Sequence, residues 1–516
     1  MQWWKIKPHR FFILTGAIFG SLMLVLTPPF QVPDEVNHFY RAYQIVDGGF
    51  KAEQYQFRLG GEVPRSLIKV ADPFLELRWQ MNRKTTFSAI SKQMSIPLEP
   101  DNTTFIDFPN TALYNPVSYL PQILPIFILK QLNAPPLLIF YGTRIFTLAV
   151  WVVCIGFLIR SLVAFKWLFT MLALLPMTVY MSMGVSADVM TNLVAFLFVG
   201  FILNQRAKTK ALGRQEFLKM VLFVFLLASA KVVYIALVFL FLLIPSGRFD
   251  RSWKFWLSFA GLLFLGLTTS FLWAGAISQI YLPYDQYNLA FRDFLDLPRC
   301  ANMHEQLNYI LGHGVYVVEV FFRSLYHAFS MYYPGYIGTF GWLDAKMPEW
   351  LIHLTYMYLF LITIFQPPTK FDFTLIDRII LFGAAIFTTA ALLLSQLLSW
   401  ECVGGDFIKT IQGRYFIPIF PLLFLSISAL IKLPSYGPFI KNRLIVFYSL
   451  FLLSVSSLVI YKRYFITSQY DEIEIKCDAE KIQNNKLVTN HPGIFIDNAD
   501  RRSDEASRSG EYSLKI

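Results

Sequence analysis

The densest chemistry in the chain lies in seventeen residues that follow its first apolar run. They read Pro28-Pro29-Phe30-Gln31-Val32-Pro33-Asp34-Glu35-Val36-Asn37-His38-Phe39-Tyr40-Arg41-Ala42-Tyr43-Gln44. A carboxylate takes a proton from a hydroxyl as a general base, and an imidazole orients such a base or shares a metal. Pro33 suits the first position of a helix, and the acids behind it suit the positive end of the helix dipole. At helical spacing Asp34, His38 and Arg41 share one face, with Phe39 and Tyr43 beside it. The same residues also suit a capped amphipathic helix whose acids do no more than complement the dipole.

Four further clusters gather polar and aromatic residues. Tyr114-Asn115-Pro116-Val117-Ser118-Tyr119-Leu120-Pro121 is the first, and Gly184-Val185-Ser186-Ala187-Asp188 puts an acid in a very short turn. Gly338-Thr339-Phe340-Gly341-Trp342-Leu343-Asp344 and Gln412-Gly413-Arg414-Tyr415-Phe416-Ile417-Pro418 complete the set. Asp188 reads as an active-site acid or as the N-cap of the next helix. Arg414 and Lys231 read as cations for a phosphate or as anchors that snorkel to the headgroups. Trp342 and Tyr415 suit an interfacial aromatic belt as well as a substrate platform.

The elements that must position these residues are apolar. Of 516 residues, 55% are hydrophobic and 15% charged, where a soluble chain carries roughly 25% charged. The apolar residues fall in long runs with short basic punctuation, the pattern of a polytopic membrane protein. A soluble enzyme, a disordered chain and a disulfide-dense secreted scaffold are excluded. The net charge of +11 does not form a nucleic-acid stripe, because the basic residues sit between the apolar runs. No nucleic-acid partner is expected.

The runs predict eleven spans, near 11–27, 138–159, 167–184, 189–204, 217–230, 232–245, 254–275, 350–366, 378–398, 415–431 and 444–461. Lys231 divides 217–230 from 232–245 and points to a hairpin. The segments 113–132 and 316–333 read as helices lying at the membrane surface. Alternate connections hold eighteen Lys and Arg on one side against Lys231, Lys409 and Arg414 on the other. The positive-inside rule then places the N-terminus in the cytoplasm and the C-terminus outside. The first span reads as an uncleaved anchor, since Thr27-Pro28-Pro29 offers no small-residue cleavage site. All five clusters then fall on the outer face, served by a large first loop (28–137), which carries amphipathic helices, and a second long loop (276–349). The tail 462–516 holds 19 charged residues out of 55; its end alternates like a strand and resembles the opening of a β-sandwich. Cys154 lies in a span. Of Cys300, Cys402 and Cys477, which all map outside, at most two can pair, and spacing does not choose between them.

Taken together, the PPFQVPDE, NPVSYLPQ, SAD, FGWLD and QGRYFIP stretches resemble a bacterial family of predicted membrane proteins of unknown function. That resemblance runs over most of 10–460, and the family is in turn similar to the GT-C glycosyltransferases. The resemblance implies an all-α fold of about eleven transmembrane helices (1–461) in a bacterial plasma membrane. It also implies transfer of a sugar, with inversion, from a polyprenyl-phosphate donor to an envelope glycan, lipid or protein acceptor outside the membrane. Carried over, Asp34 stands where the catalytic acid is, Glu35 is its neighbour, and Asp188 corresponds to a second acid. His38 would support the acid or a metal. Arg414, with Lys231, would hold the lipid phosphate, unless a divalent cation (Mg or Mn) does so. Arg41, Tyr114, Asn115, Tyr119, Trp342, Asp344, Gln412 and Tyr415 would line the substrate. NPVSYLPQ lacks the His of the mannosyltransferase motif, which leaves the acceptor class open. A polysaccharide polymerase or ligase, a transporter and a non-enzymatic assembly protein are the competing readings.

Overall fold

The computed structural model describes residues 7–295, 297–366, 372–432 and 437–467, together with short strands between 481 and 514. The chain divides into two units after Tyr464. Among the described residues six helices are long and apolar enough to cross a membrane: Pro8–Leu26, Pro136–Ser161, Ala187–Arg206, Ser252–Ile277, Leu375–Trp400 and Asn442–Phe465. The first unit is a multi-pass membrane protein built mainly of helix.

The remaining five expected spans are shorter or broken, for local reasons. Residues 167–184 form two helices, Lys166–Ala173 and Pro176–Ser182, because Pro176 cannot donate the hydrogen bond that would join them. Residues 415–431 likewise divide into a 3-10 turn, Gly413–Phe416, and a helix, Phe420–Ser426, that starts beside Pro421. The helices Arg214–Ala230 and Glu349–Ile364 have 17 and 16 residues. At Lys231 the backbone becomes extended (φ −161°, ψ 115°) and the chain continues as a 3-10 helix, Val232–Leu243. Leu212 N–H donates to Arg248 O at 3.0 Å, so the chain from 214 to 244 returns to the end from which it left. That is the hairpin expected from Lys231.

The first helix ends at Thr27-Pro28-Pro29, where two prolines withhold donors. It packs against Pro136–Ser161. The connection between them holds a three-stranded antiparallel sheet in the order Glu53–Tyr55, Arg58–Pro64, Thr103–Asp107, which the sequence did not lead us to expect. An Arg58–Asp107 ion pair joins its last two strands. The amphipathic helix Arg65–Leu75 buries Leu67, Val70, Ala71 and Phe74 along one side. The segment 113–132 becomes a 3-10 turn, Pro116–Tyr119, and a helix, Leu120–Gln131; 316–333 lies in the helices Tyr316–His327 and Phe329–Gly338.

Cys300 and Cys402 form a disulfide and Cys154 is a free thiol; Cys477 lies outside the described residues. In the second unit, Lys481–Gln483, Lys486–Val488 and Phe495–Ile496 form one antiparallel sheet. Arg502–Ser503 pairs with Ser513–Leu514, within the stretch expected to form a strand.

Candidate functional site

Asp34 precedes the helix Glu35–Val46 and holds a left-handed backbone (φ 62°). That conformation is uncommon for a residue with a side chain and marks a position worth attention. It takes the Asp34 carboxylate out of the helical register. Its Oδ2 accepts from Arg414 Nη2 at 2.6 Å and its Oδ1 from Asn110 Nδ2 at 3.0 Å. Asn110 in turn accepts from Asn37 Nδ2 at 2.6 Å. The Asp34 side chain keeps 30% of its surface open, against 3% for Arg414.

Arg414 is therefore no surface anchor. It comes from the turn Gly413–Phe416, which packs on the Phe329–Gly338 helix so closely that a Cβ on Gly413 would fall on the backbone of Gly335 and Tyr336. Its Nη1 donates to Pro33 O at 3.2 Å, and its Nε stands 3.7 Å from Asp188 Oδ2 without a hydrogen bond to the protein. Asp188 also faces Lys231 Nζ at 3.7 Å, and that ammonium lies 4.6 Å from the centre of the Tyr415 ring. The helix Ala187–Arg206 is capped by Ser186, whose side chain accepts from Asp188 N at 3.1 Å. Capping thus belongs to Ser186, and the Asp188 carboxylate belongs to the cation cluster.

Asp34, His38, Tyr114, Asp188, Lys231, Arg414 and Tyr415 line a polar chamber of about 50 Å³. It adjoins a cleft of about 590 Å³ through Asp34, Asn110, Gln396, Trp400 and Tyr415, which line both; Trp342 and Gln412 line the cleft alone. The size suits a small-molecule site of roughly 300–1,000 Å³.

His38 Nδ1 lies 2.8 Å from Tyr119 Oη. Burial lowers the imidazole from 6.5 to about 4, against the opposing pull of Asp34 and Asp188, so the ring is neutral near pH 7. Burial disfavours the charged ring in the folded state. The stabilisation from keeping it neutral is therefore complete above about 6.5 and is lost as pH falls toward about 4. We expect the melting temperature of His38→Gln to fall less than the parent's between pH 6.5 and pH 4, as read by thermal unfolding in detergent; parallel curves would contradict this.

Five expected site residues are elsewhere. Glu35 has no exposed side-chain surface: Arg144 reaches both its oxygens, at 2.8 and 2.5 Å, and Val185 N donates to it at 3.0 Å. It is an anchor for the first loop and corrects the expectation of a second catalytic carboxylate. Arg41 donates to Gln44 Oε1 at 2.7 Å and to Gly49 O and Phe50 O at 2.8 Å, so it ties the end of its helix instead of lining substrate. Asn115 caps the Pro116–Tyr119 turn through Val117 N, at 2.9 Å. Tyr119 is buried behind His38. Asp344 is bound by Arg463 Nη2 at 2.7 Å.

Sequence reasoning overlooked Arg144, Asn110, Gln396, Trp400, Thr410 and Trp79. For Arg144 and Gln396 a signal existed, since each is a polar residue inside an apolar run. The donor set does not fit a divalent cation: Asp34 is bonded to Arg414, Asp188 faces Arg414 and Lys231, and those cations already balance both carboxylates. No group of three or more His, Cys, Asp or Glu suited to a metal occurs among the described residues.

Over residues 17–423 the chain matches the family described as predicted membrane protein (DUF2142). No curated protein and no solved structure matches it. The chain belongs to that family.

Proposed function

We propose that this DUF2142 member is an inverting glycosyltransferase that takes a sugar from a polyprenyl phosphate and passes it to an acceptor hydroxyl outside a bacterial plasma membrane. In this reading the chain crosses the bilayer eleven times, with the basic connections and the N-terminus in the cytoplasm and residue 516 outside. The carrying observation is that Asp34, partly open to a large cleft, is paired with Arg414 beside a polar chamber that also holds Lys231, paired with Asp188. A lipid phosphate needs buried cations at a membrane interface, and the sugar needs a wet cleft beside them.

The step balances without a further reactant. The acceptor oxygen forms a bond to the anomeric carbon while the bond from that carbon to the phosphate oxygen breaks. Its electron pair leaves with the phosphate, and the acceptor proton passes to Asp34. Arg414 Nε makes no hydrogen bond to the protein, so the guanidinium keeps N–H donors for the phosphate, and Lys231 adds a second positive charge. Attack from the side opposite the leaving group inverts the anomeric centre. Against a transporter stands the placement of the charges: Asp188 lies in the first turn of a helix and Lys231 at the end of another. Transporters hold such groups near mid-membrane.

Arg414→Lys tests the phosphate role. It keeps the charge and loses the planar fork, so transfer should fall roughly ten- to hundred-fold, the worth of a charge-assisted hydrogen bond of about 1.5–3 kcal/mol. Arg414→Ala should fall further. Transfer measured at matched protein levels checks this, and full activity in Arg414→Lys would count against it.

A further inference from the structure

The wall of the large cleft carries a structure that the transfer chemistry does not use. Trp79 and Trp342, distant in sequence, meet edge to face with ring centres 5.9 Å apart and planes at 75°. Trp79 Nε1 donates to Trp342 O at 2.9 Å, and Trp342 Nε1 donates to Phe30 O at 3.2 Å. The Arg78 guanidinium lies 4.3 Å from the Trp79 ring centre and 4.9 Å from that of Trp342. Both rings and Arg78 line the cleft that Asp34 also lines, together with the carboxylates Asp72 and Glu76.

Two features set this pair apart from an interfacial aromatic belt. Trp79 is 52% exposed although its backbone is left-handed (φ 59°), a costly conformation for a bulky residue that persists where surroundings enforce it. Belt rings lie against the lipid headgroups, whereas these two line a cleft shared with two carboxylates and a guanidinium. The cleft also holds Gln412, whose Oε1 is buried without a partner in the protein.

We propose that Arg78, Trp79 and Trp342, with Asp72 and Glu76, form an acceptor subsite for a carbohydrate. The inference rests on the transfer reading and names its acceptor class. A pyranose presents an apolar C–H face and a rim of hydroxyls. Aromatic rings take the face, while carboxylates and a guanidinium bond the rim in pairs. An acyl chain would set Asp72, Arg78 and Glu76, the last already paired with Arg83, against hydrocarbon, and a cleft of about 590 Å³ is large enough for more than one sugar unit.

Saturation-transfer NMR on the full-length protein in detergent, without donor, tests the subsite. The probes are neutral gluco-, manno- and galacto-tetrasaccharides, a Ser/Thr-rich hexapeptide and a short-chain phospholipid. We expect at least one tetrasaccharide to bind. Trp79→Gly, whose backbone accepts the positive φ without strain, should weaken it at least about tenfold, as for a central aromatic anchor. Trp79→Phe should stay within about threefold of the parent. Arg78→Met, which leaves the backbone untouched, should cost a severalfold loss and decides the matter should Trp79→Gly not fold. No saccharide binding, parent-like binding by both Trp79→Gly and Arg78→Met, or Trp79-dependent binding of the peptide or phospholipid instead would overturn the subsite. Because no donor is present, saccharide binding without transfer in a separate assay would contradict the transfer reading alone.

Discussion

Asp34→Asn should lose transfer by at least about a hundred-fold, within the range of 10²–10⁴ expected for removing a positioned general base, while the protein stays folded. Asn is the same size and accepts a hydrogen bond through Oδ1, so the contact with Arg414 Nη2 can persist in weaker form. Arg414 also keeps its bond to Pro33 O and the neighbouring charge of Asp188. The proton acceptor is lost, and with it the hydrogen bond from Asn110 Nδ2, because Asn has one acceptor oxygen where Asp34 has two. Thermal unfolding and gel filtration in the same detergent, set against transfer at equal protein concentration, separate chemistry from folding. A variant that loses transfer only because it no longer folds would make Asp34 part of the scaffold.

The neighbouring acid should behave in the opposite way. Glu35→Ala leaves the Arg144 guanidinium buried with three backbone carbonyls, of Leu24, Thr27 and Pro28, and no counter-charge. Breaking a buried pair by removing one partner costs about 3–5 kcal/mol. Glu35→Ala should therefore aggregate or melt far below the parent. Replacing both members, Glu35→Leu with Arg144→Leu, should recover much of that stability, because a buried pair exchanged for apolar side chains is often neutral. A Glu35→Ala protein that melts like the parent and loses only transfer would return Glu35 to the chemistry.

The contrast between these two acids marks the limit of the sequence. The membrane class was legible because long apolar runs with basic punctuation have few other uses, and the family could be read from its motifs. The role of each motif residue was harder to see. Placing Asp34, His38 and Arg41 on one face assumed helical backbone at Asp34, whereas its φ of 62° turns the carboxylate toward Arg414. Asp34 and Glu35 are adjacent and chemically alike; only the fold shows one on a cleft and the other locked by Arg144. Arg144 was missed because its single charge scarcely alters the hydropathy of a 26-residue helix. The first-loop sheet was hidden by its make-up: Arg58–Pro64 carries Gly60 and Gly61 and shows no clean alternation. Trp79 sits in a turn with no motif around it, and its meeting with Trp342 is a tertiary contact that no local spacing encodes.

Release of free polyprenyl phosphate bears most directly on the transfer reading. Purified full-length protein would be given a panel of polyprenyl-phosphate sugars, labelled in both lipid and sugar, with an envelope glycan fraction. At least one donor should yield free polyprenyl phosphate and a labelled, water-soluble glycoside of inverted anomeric configuration, both dependent on Asp34. Release unchanged in Asp34→Asn, a product of retained configuration, or an intact donor throughout the panel would contradict the transfer reading.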